Sequence, residues 1–143
     1  MQALLDGKTI VVIGGTTGLG LSAALALVEA GARVVVVGRS VESSAAAQSK
    51  LSQDGFAFSA DAREAATAAR AIDEAVRRSG KLDGLYHVAG GSGRRMGDGP
   101  LHELTDEGWH ATLDLNLTSL MHSNRAAVRQ FLAQQTGGSI LNL

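Results

Sequence analysis

One local arrangement constrains this chain more than any other. The β-branched run Thr9-Ile10-Val11-Val12-Ile13 leads straight into Gly14-Gly15-Thr16-Thr17-Gly18-Leu19-Gly20. Leu19 to Ala30 is then a good helix former, closed by Gly31, the residue type that most often follows a helix end. A second β-branched run follows at Val34-Val35-Val36-Val37. Both runs are continuous rather than alternating, which suits strands covered by helices on both faces. Strand, glycine turn, helix and strand in that order predict a right-handed parallel βαβ unit.

The alternation continues along the chain. Val41 to Gln53 reads as a helix, Phe56-Ala57-Phe58 as a short strand, and Ala62 to Ser79 as an alanine-rich helix. Leu85 to Ala89 is a fourth strand after the turn Lys81-Leu82-Asp83-Gly84, and Gly90 to Pro100 is a glycine-rich loop. Thr105 caps a long helical region to about Gln135, with Asp106 and Glu107 favourable near its positive end. Gly137-Gly138 end that region, and Ser139 to Leu143 begin a fifth strand. No linker or internal repeat interrupts the pattern. The expectation is one α/β domain over residues 1–143 with a mostly parallel sheet.

Composition removes several alternatives. Apolar residues make up 45% of the 143 and charged residues 19%, too apolar and too weakly charged for disorder. Alanine dominates the apolar share, and only Trp109, Tyr86 and three phenylalanines are aromatic, a balance suited to close helix–sheet packing. Thirteen basic against fourteen acidic side chains argue against a nucleic-acid partner, which calls for a basic face. There is no cysteine, which excludes disulfides, thiolate metal sites and cysteine nucleophiles and is compatible with a reducing compartment. Met1 to Lys8 lacks the pattern of a secretion signal, and no apolar run approaches the ~20 residues of a membrane span. A cytoplasmic protein is expected.

The glycine turn carries the first chemistry. Gly14 lets the chain leave the strand sharply, Gly18 lets backbone amides approach a diphosphate, and Gly20 lets the helix pack close to the sheet. Thr16, Thr17 and Leu19 complete the cradle, and an anion there meets the amino end of the helix. The alternative is a turn that serves packing alone. Gly18-Leu19-Gly20-Leu21-Ser22-Ala23 also fits a GxGxxA pattern, but it starts four residues past the strand. Gly7-Lys8-Thr9 is like the end of a P-loop, yet it precedes the strand and lacks the upstream glycine.

With these residues in place the chain resembles the short-chain dehydrogenase/reductase family, in its TGxxxGxG branch. Gly14, Gly18 and Gly20 fall on the three glycines, with Ile13 where the family usually has Thr. Leu5-Asp6-Gly7-Lys8 is similar to the usual lead-in, and His87-Val88-Ala89-Gly90 to the NNAG segment with both asparagines replaced. Gly138-Ser139-Ile140-Leu141-Asn142-Leu143 is similar to the strand that leads to the catalytic serine. The resemblance implies a Rossmann-like doubly wound sheet in the order 3-2-1-4-5 and a nicotinamide dinucleotide cofactor. It implies hydride transfer between alcohol and carbonyl, Asp61 and Ala62 near adenine, Ala89 and Gly90 on the cofactor, and Asn116 in the catalytic set.

Each residue also admits a plainer role. Asp61 with Glu64 makes a capping-box-like helix start. His87, at a strand end, reads as a hydrogen-bonded structural histidine. His102, His110 and His122 lack the spacing of a helical metal pair, so no metal is expected, and Trp109 is expected in the core. Leu113, Leu117, Leu120, Met121, Val128 and Phe131 mark an apolar stripe, and Asn116 lies along it. A buried amide without partners costs about 1–3 kcal/mol, so this one is expected to have work. In relatives it sits at a helix distortion and helps to hold a proton-relay water; the alternative is a capped or solvent-reaching amide. At the end of the second strand Gly38 occupies the position where an acid would bind ribose hydroxyls, and Arg39 follows. An arginine there pairs with a 2′-phosphate, which favours NADP(H) over NAD(H). An ordinary surface arginine is the alternative, and Thr17 stands where many NADP-using relatives carry a second basic residue.

By resemblance the chemistry needs a serine and a YxxxK motif whose lysine lowers the tyrosine's pKa. Tyr86 is the only tyrosine, with Gly90 four residues on. Ser139 precedes its strand, and the family's serine is expected just beyond Leu143. The chain thus resembles the amino-terminal half of the family, truncated after about five strands. Three readings stand: the cofactor-binding half of a reductase, a nucleotide-binding or regulatory module, and a self-associating remnant. A homodimer or higher oligomer is expected, through the fifth-strand edge, the long helix, or both.

Overall fold

The structure, a computed structural model, describes residues 3–143; Met1 and Gln2 of the amino-terminal segment lie outside the described residues. Five strands, β1 (Thr9–Ile13), β2 (Arg33–Gly38), β3 (Gly55–Ser59), β4 (Gly84–His87) and β5 (Ser139–Asn142), form one sheet in the order β3-β2-β1-β4-β5. Every pairing is parallel, and Val11 stands between Val35 of β2 and Leu85 of β4. The order and class are those the sequence implied: a Rossmann-like doubly wound sheet.

The continuous valine runs follow from burial on both faces. Successive strand residues point to opposite sides. Val11, Ile13, Val35 and Val37 pack with Phe58, Ile72 and Leu82 on one side. Val12, Val34 and Val36 pack with Ala24, Ala47 and Leu51 on the other. The second layer is made by α1 (Gly18–Glu29) and α2 (Val41–Leu51), the first by α3 (Ala65–Ser79) and α5 (Ser119–Gln134). Each fully buried valine contributes about 1.5–3 kcal/mol relative to exposure, so neither face tolerates a polar substitution.

Amide side chains clamp the edges. Gln48 Nε2 donates to the Gly55 carbonyl at 3.0 Å, and its Oε1 accepts from Ala57 N–H at 2.8 Å. It thereby does for edge strand β3 what a neighbouring strand would do. Gln134 pairs in the same way with both backbone groups of Leu82.

Several boundaries differ from the sequence reading. The second helix stops at Leu51, with a 3₁₀ turn over Ser52–Asp54. The third begins at Ala65 rather than Ala62, because Asp61 forms a local turn instead of a capping box. Its carboxylate accepts from Arg63 N–H at 2.9 Å and from the Arg63 guanidinium at 2.6 Å, and Glu64 makes no side-chain cap. Thr105 caps as expected, its Oγ1 accepting from Gly108 N–H at 3.0 Å. The long helical region is α4 (Asp106–Leu113), a π-helical segment at Asp114–Thr118, and α5. It ends with Gln135 in the left-handed conformation, two residues before Gly137.

Trp109 is a correction: it is 51% exposed, not core. Gly108 is the buried residue of α4, because a Cβ there would run into the backbone of Gly97. With glycine facing inward, its neighbour faces out. In α5 the buried side is small, Ser119, Ser123 and Ala127, which lets the helix approach the sheet closely. The apolar stripe is consequently left partly bare, with Leu117, Met121 and Val128 exposed. Among the described residues no helix is long and apolar enough to cross a membrane.

Candidate functional site

A cavity of about 510 Å³ opens at the carboxyl ends of the strands, where β1 lies between β2 and β4 and the order reverses. Open α/β sheets place ligands at this point. All eleven residues expected at a cofactor line it: Gly14, Thr16, Thr17, Gly18, Leu19, Gly20, Arg39, Asp61, Ala62, Ala89 and Gly90. They come from four separate βα connections.

Glycine builds the floor. Gly14, at φ +90°, leaves no room for a side chain, since a Cβ would stand 2.6 Å from Ala89 N. Its N–H and that of Gly15 both donate to Val37 O, at 2.8 and 2.9 Å. A Cβ on Gly20 would collide with the Gly14 carbonyl, so glycine there sets the approach of α1 to the sheet. Gly18 differs: at φ +52° it faces open space, with nothing within 4 Å of a Cβ position. Thr17 makes no side-chain cap, and α1 carries no acidic residue in its first turn. The positive end of the helix is therefore uncompensated toward the cavity and suits an anion.

On the β2 side, Arg39 is exposed; its carbonyl accepts from Ser59 Oγ at 2.7 Å, while its guanidinium makes no hydrogen bond or ion pair among the described residues. Asp61 is held below the usual carboxylate range chiefly by its hydrogen bond to the Arg63 guanidinium, with the Arg39 charge assisting. Ser40 and Ser43 also line the cavity and were not singled out from sequence. Their signal was the Ser40 N-cap of α2, whose Oγ accepts from Ser43 N–H at 3.1 Å.

On the β4 side, two side chains brace the wall from behind. Asn116 does not line the cavity. Its Oδ1 accepts from Gly91 N–H and its Nδ2 donates to Gly91 O and Thr112 O, all at 2.9 Å. It sits within the π-helical segment, the helix distortion the resemblance implied. His87 is 1% exposed, with Nε2 2.9 Å from Ala89 O and Nδ1 2.9 Å from Ser123 Oγ. Burial lowers its pKa. The neutral ring therefore donates from Nε2 to the carbonyl and accepts at Nδ1 from the serine hydroxyl. That is the structural histidine expected.

The chemistry-bearing residue types are placed unevenly. Ser139 pairs with Gly84 at the far end of the sheet, whereas Leu143 reaches the cavity and donates its N–H to His87 O at 3.0 Å. Among the described residues no three His, Asp or Glu side chains converge as a metal site.

Comparison with known proteins agrees with this architecture. The family described as short chain dehydrogenase matches residues 8–143. The 3beta-hydroxysteroid dehydrogenase 2 of Eggerthella lenta is 30% identical over 97% of this chain and 54% of its own length. A probable 2,4-dienoyl-CoA reductase of Bacillus subtilis is 31% identical over 97% and 54%. Among solved structures, a short-chain type dehydrogenase/reductase from Mycobacterium ulcerans superposes with a TM-score of 0.86 at 32% identity, covering 96% of this chain and 51% of that one. An NAD+-bound xylitol dehydrogenase gives 0.86 at 25% identity, covering 97% and 53%. The chain spans about half the length of the curated relatives it matches. It belongs to the short-chain dehydrogenase family of oxidoreductases, whose members bind nicotinamide dinucleotides.

Proposed function

We propose that the cavity takes NADP(H) in preference to NAD(H), and that the chain supplies the cofactor-binding portion of a carbonyl or alcohol oxidoreductase. The single observation that carries the preference is Arg39, whose guanidinium has no hydrogen-bond or ion-pair partner among the described residues, at the cavity rim beside a Gly38 that has no side chain to repel a phosphate. The residues fit the group. The amides of α1 meet a diphosphate, Gly18 leaves the approach open, Arg39 and the Ser40 and Ser43 hydroxyls face a 2′-phosphate, and Asp61 with Ala62 flank adenine. The bound nicotinamide supplies the hydride acceptor or donor. His87 and Asn116 keep the Ala89–Gly91 wall in place beside it.

Calorimetric titration at low salt tests this. NADPH binds more tightly than NADH, and Arg39→Ala loses about tenfold or more of the NADPH affinity, the worth of a charge-assisted hydrogen bond. Equal affinity for both, or no change in Arg39→Ala, refutes the preference. This sequence contains no YxxxK, so the isolated chain turns over neither carbonyls nor alcohols at family-typical rates, positioned acid–base groups being worth about 10²–10⁴-fold. Carbonyl-dependent NADPH consumption that survives repurification refutes that. The cytoplasm is the proposed compartment, tested by fractionation.

A second reading, self-association into a homodimer or larger oligomer, is favoured by one observation. Trp109, Leu117, Met121, Val128 and Leu132 stand exposed along α4, the π-helical segment and α5, and a large apolar patch on a monomer is uncommon.

A further inference from the structure

Gly38 and Thr16 meet across the floor of the cavity. A Cβ on Gly38 would overlap the Thr16 hydroxyl, and would stand 2.7 Å from Thr16 Cγ2 and 2.8 Å from Thr16 Cβ. Carbon atoms pack at about 3.5–4.0 Å. Rotating the threonine permutes Oγ1, Cγ2 and a hydrogen among three positions but leaves its Cβ 2.8 Å away, so no rotamer clears the space. Neither partner is free to withdraw. Thr16 is 5% exposed, with its Oγ1 3.1 Å from Ser43 Oγ. The turn that carries it is tied to β2 through Gly14 and Gly15, and the Gly38 carbonyl accepts from Ala60 N–H at 2.9 Å.

Position 38 is where an acid would hydrogen-bond the ribose hydroxyls of NAD(H) and repel the 2′-phosphate of NADP(H). We infer that Thr16 is a specificity-determining residue: by filling the space next to Gly38 it excludes every side chain from that position, including the acid that NAD(H) selection requires. The inference rests on the proposed cofactor site. It makes cofactor preference a property of two residues. Arg39 attracts the phosphate, while Thr16 blocks the competing solution, so the acid alone cannot reverse the preference.

The test is a set of variants of the full chain: Gly38→Asp, Thr16→Gly, and Gly38→Asp combined with Thr16→Gly or with Thr16→Val. Each is followed by thermal melting and by calorimetric titration with NADH and NADPH. Gly38→Asp alone loses melting temperature or fails to accumulate folded, and gains no affinity for NADH. Adding Thr16→Gly restores folding to the level of Thr16→Gly itself. The double variant then binds NADH about tenfold or more tighter than the wild type, and NADPH correspondingly more weakly. Thr16→Val does not rescue, because valine keeps the branched shape while losing the hydroxyl; this separates overlap from the loss of the Ser43 contact.

A stable Gly38→Asp that turns to NADH unaided overturns the inference. So does an equal melting loss with and without Thr16→Gly, or a folded double variant that keeps the wild-type preference. A wild-type chain that binds neither dinucleotide overturns the cofactor reading and the specificity role together. Wild-type NADPH binding with any of the preceding failures overturns this inference alone.

Discussion

Gly18→Val separates the two tasks that the glycine turn performs. At φ +52° this residue is left-handed, and a β-branched side chain there costs about 1–2 kcal/mol of backbone strain. Nothing lies within 4 Å of its Cβ, so no packing term adds to that cost. At about 2.1 cal/mol/K of unfolding entropy per residue, a chain of this size then melts about 3–7 °C lower and still folds. Binding suffers far more, because the isopropyl group stands in open space at the amino end of α1, where the diphosphate would approach the amides. Losing two charge-assisted hydrogen bonds costs about 3–6 kcal/mol, a hundredfold or more in affinity. Circular dichroism melting and calorimetry with NADPH on one preparation report both quantities. Gly20→Ala gives the opposite profile: its Cβ collides with the Gly14 carbonyl, so the fold itself is lost or severely weakened. A Gly18→Val chain that binds NADPH as tightly as wild type, or that does not fold, refutes the reasoning.

Asn116→Ala removes three hydrogen bonds to Gly91 and Thr112. At about 0.5–1.5 kcal/mol each, with water replacing part of the loss at exposed Gly91, urea unfolding shows about 1.5–3 kcal/mol of destabilisation. Amide exchange at Gly90–Ser92 accelerates, and a change below about 0.5 kcal/mol means the clamp contributes little. His87 carries a pH signature. Its folded pKa lies below the ordinary 6.5 because burial disfavours the cation, so between the two values the unfolded chain binds more protons. Stability is present in full above 6.5 and falls as pH drops from there toward the folded pKa. Urea unfolding from pH 8 to pH 5 shows that decline in the wild type, and His87→Gln removes His87's share of it; identical slopes refute the assignment. Self-association is read by light scattering at tens of micromolar, about the range where weak dimers dissociate. Leu117→Asp with Val128→Asp yields a folded monomer, and a wild-type chain that is already monomeric refutes the second reading.

The sequence by itself determined the elements whose signals are local. The valine runs specify strands because burial on both faces leaves no place for a polar alternation. The Thr105 cap depends on Gly108, three residues on. The spacing of Gly14, Gly18 and Gly20 specifies the turn, because each meets a backbone constraint inside one βα unit. What lay outside local range was settled by packing. Trp109 faces out because Gly108 must face Gly97, a contact between a helix and the loop before it. The meeting of Thr16 with Gly38 leaves no mark in either neighbourhood of the chain. It exists only because parallel β1 and β2 bring their carboxyl ends side by side, and shape complementarity across that junction is a property of the assembled sheet.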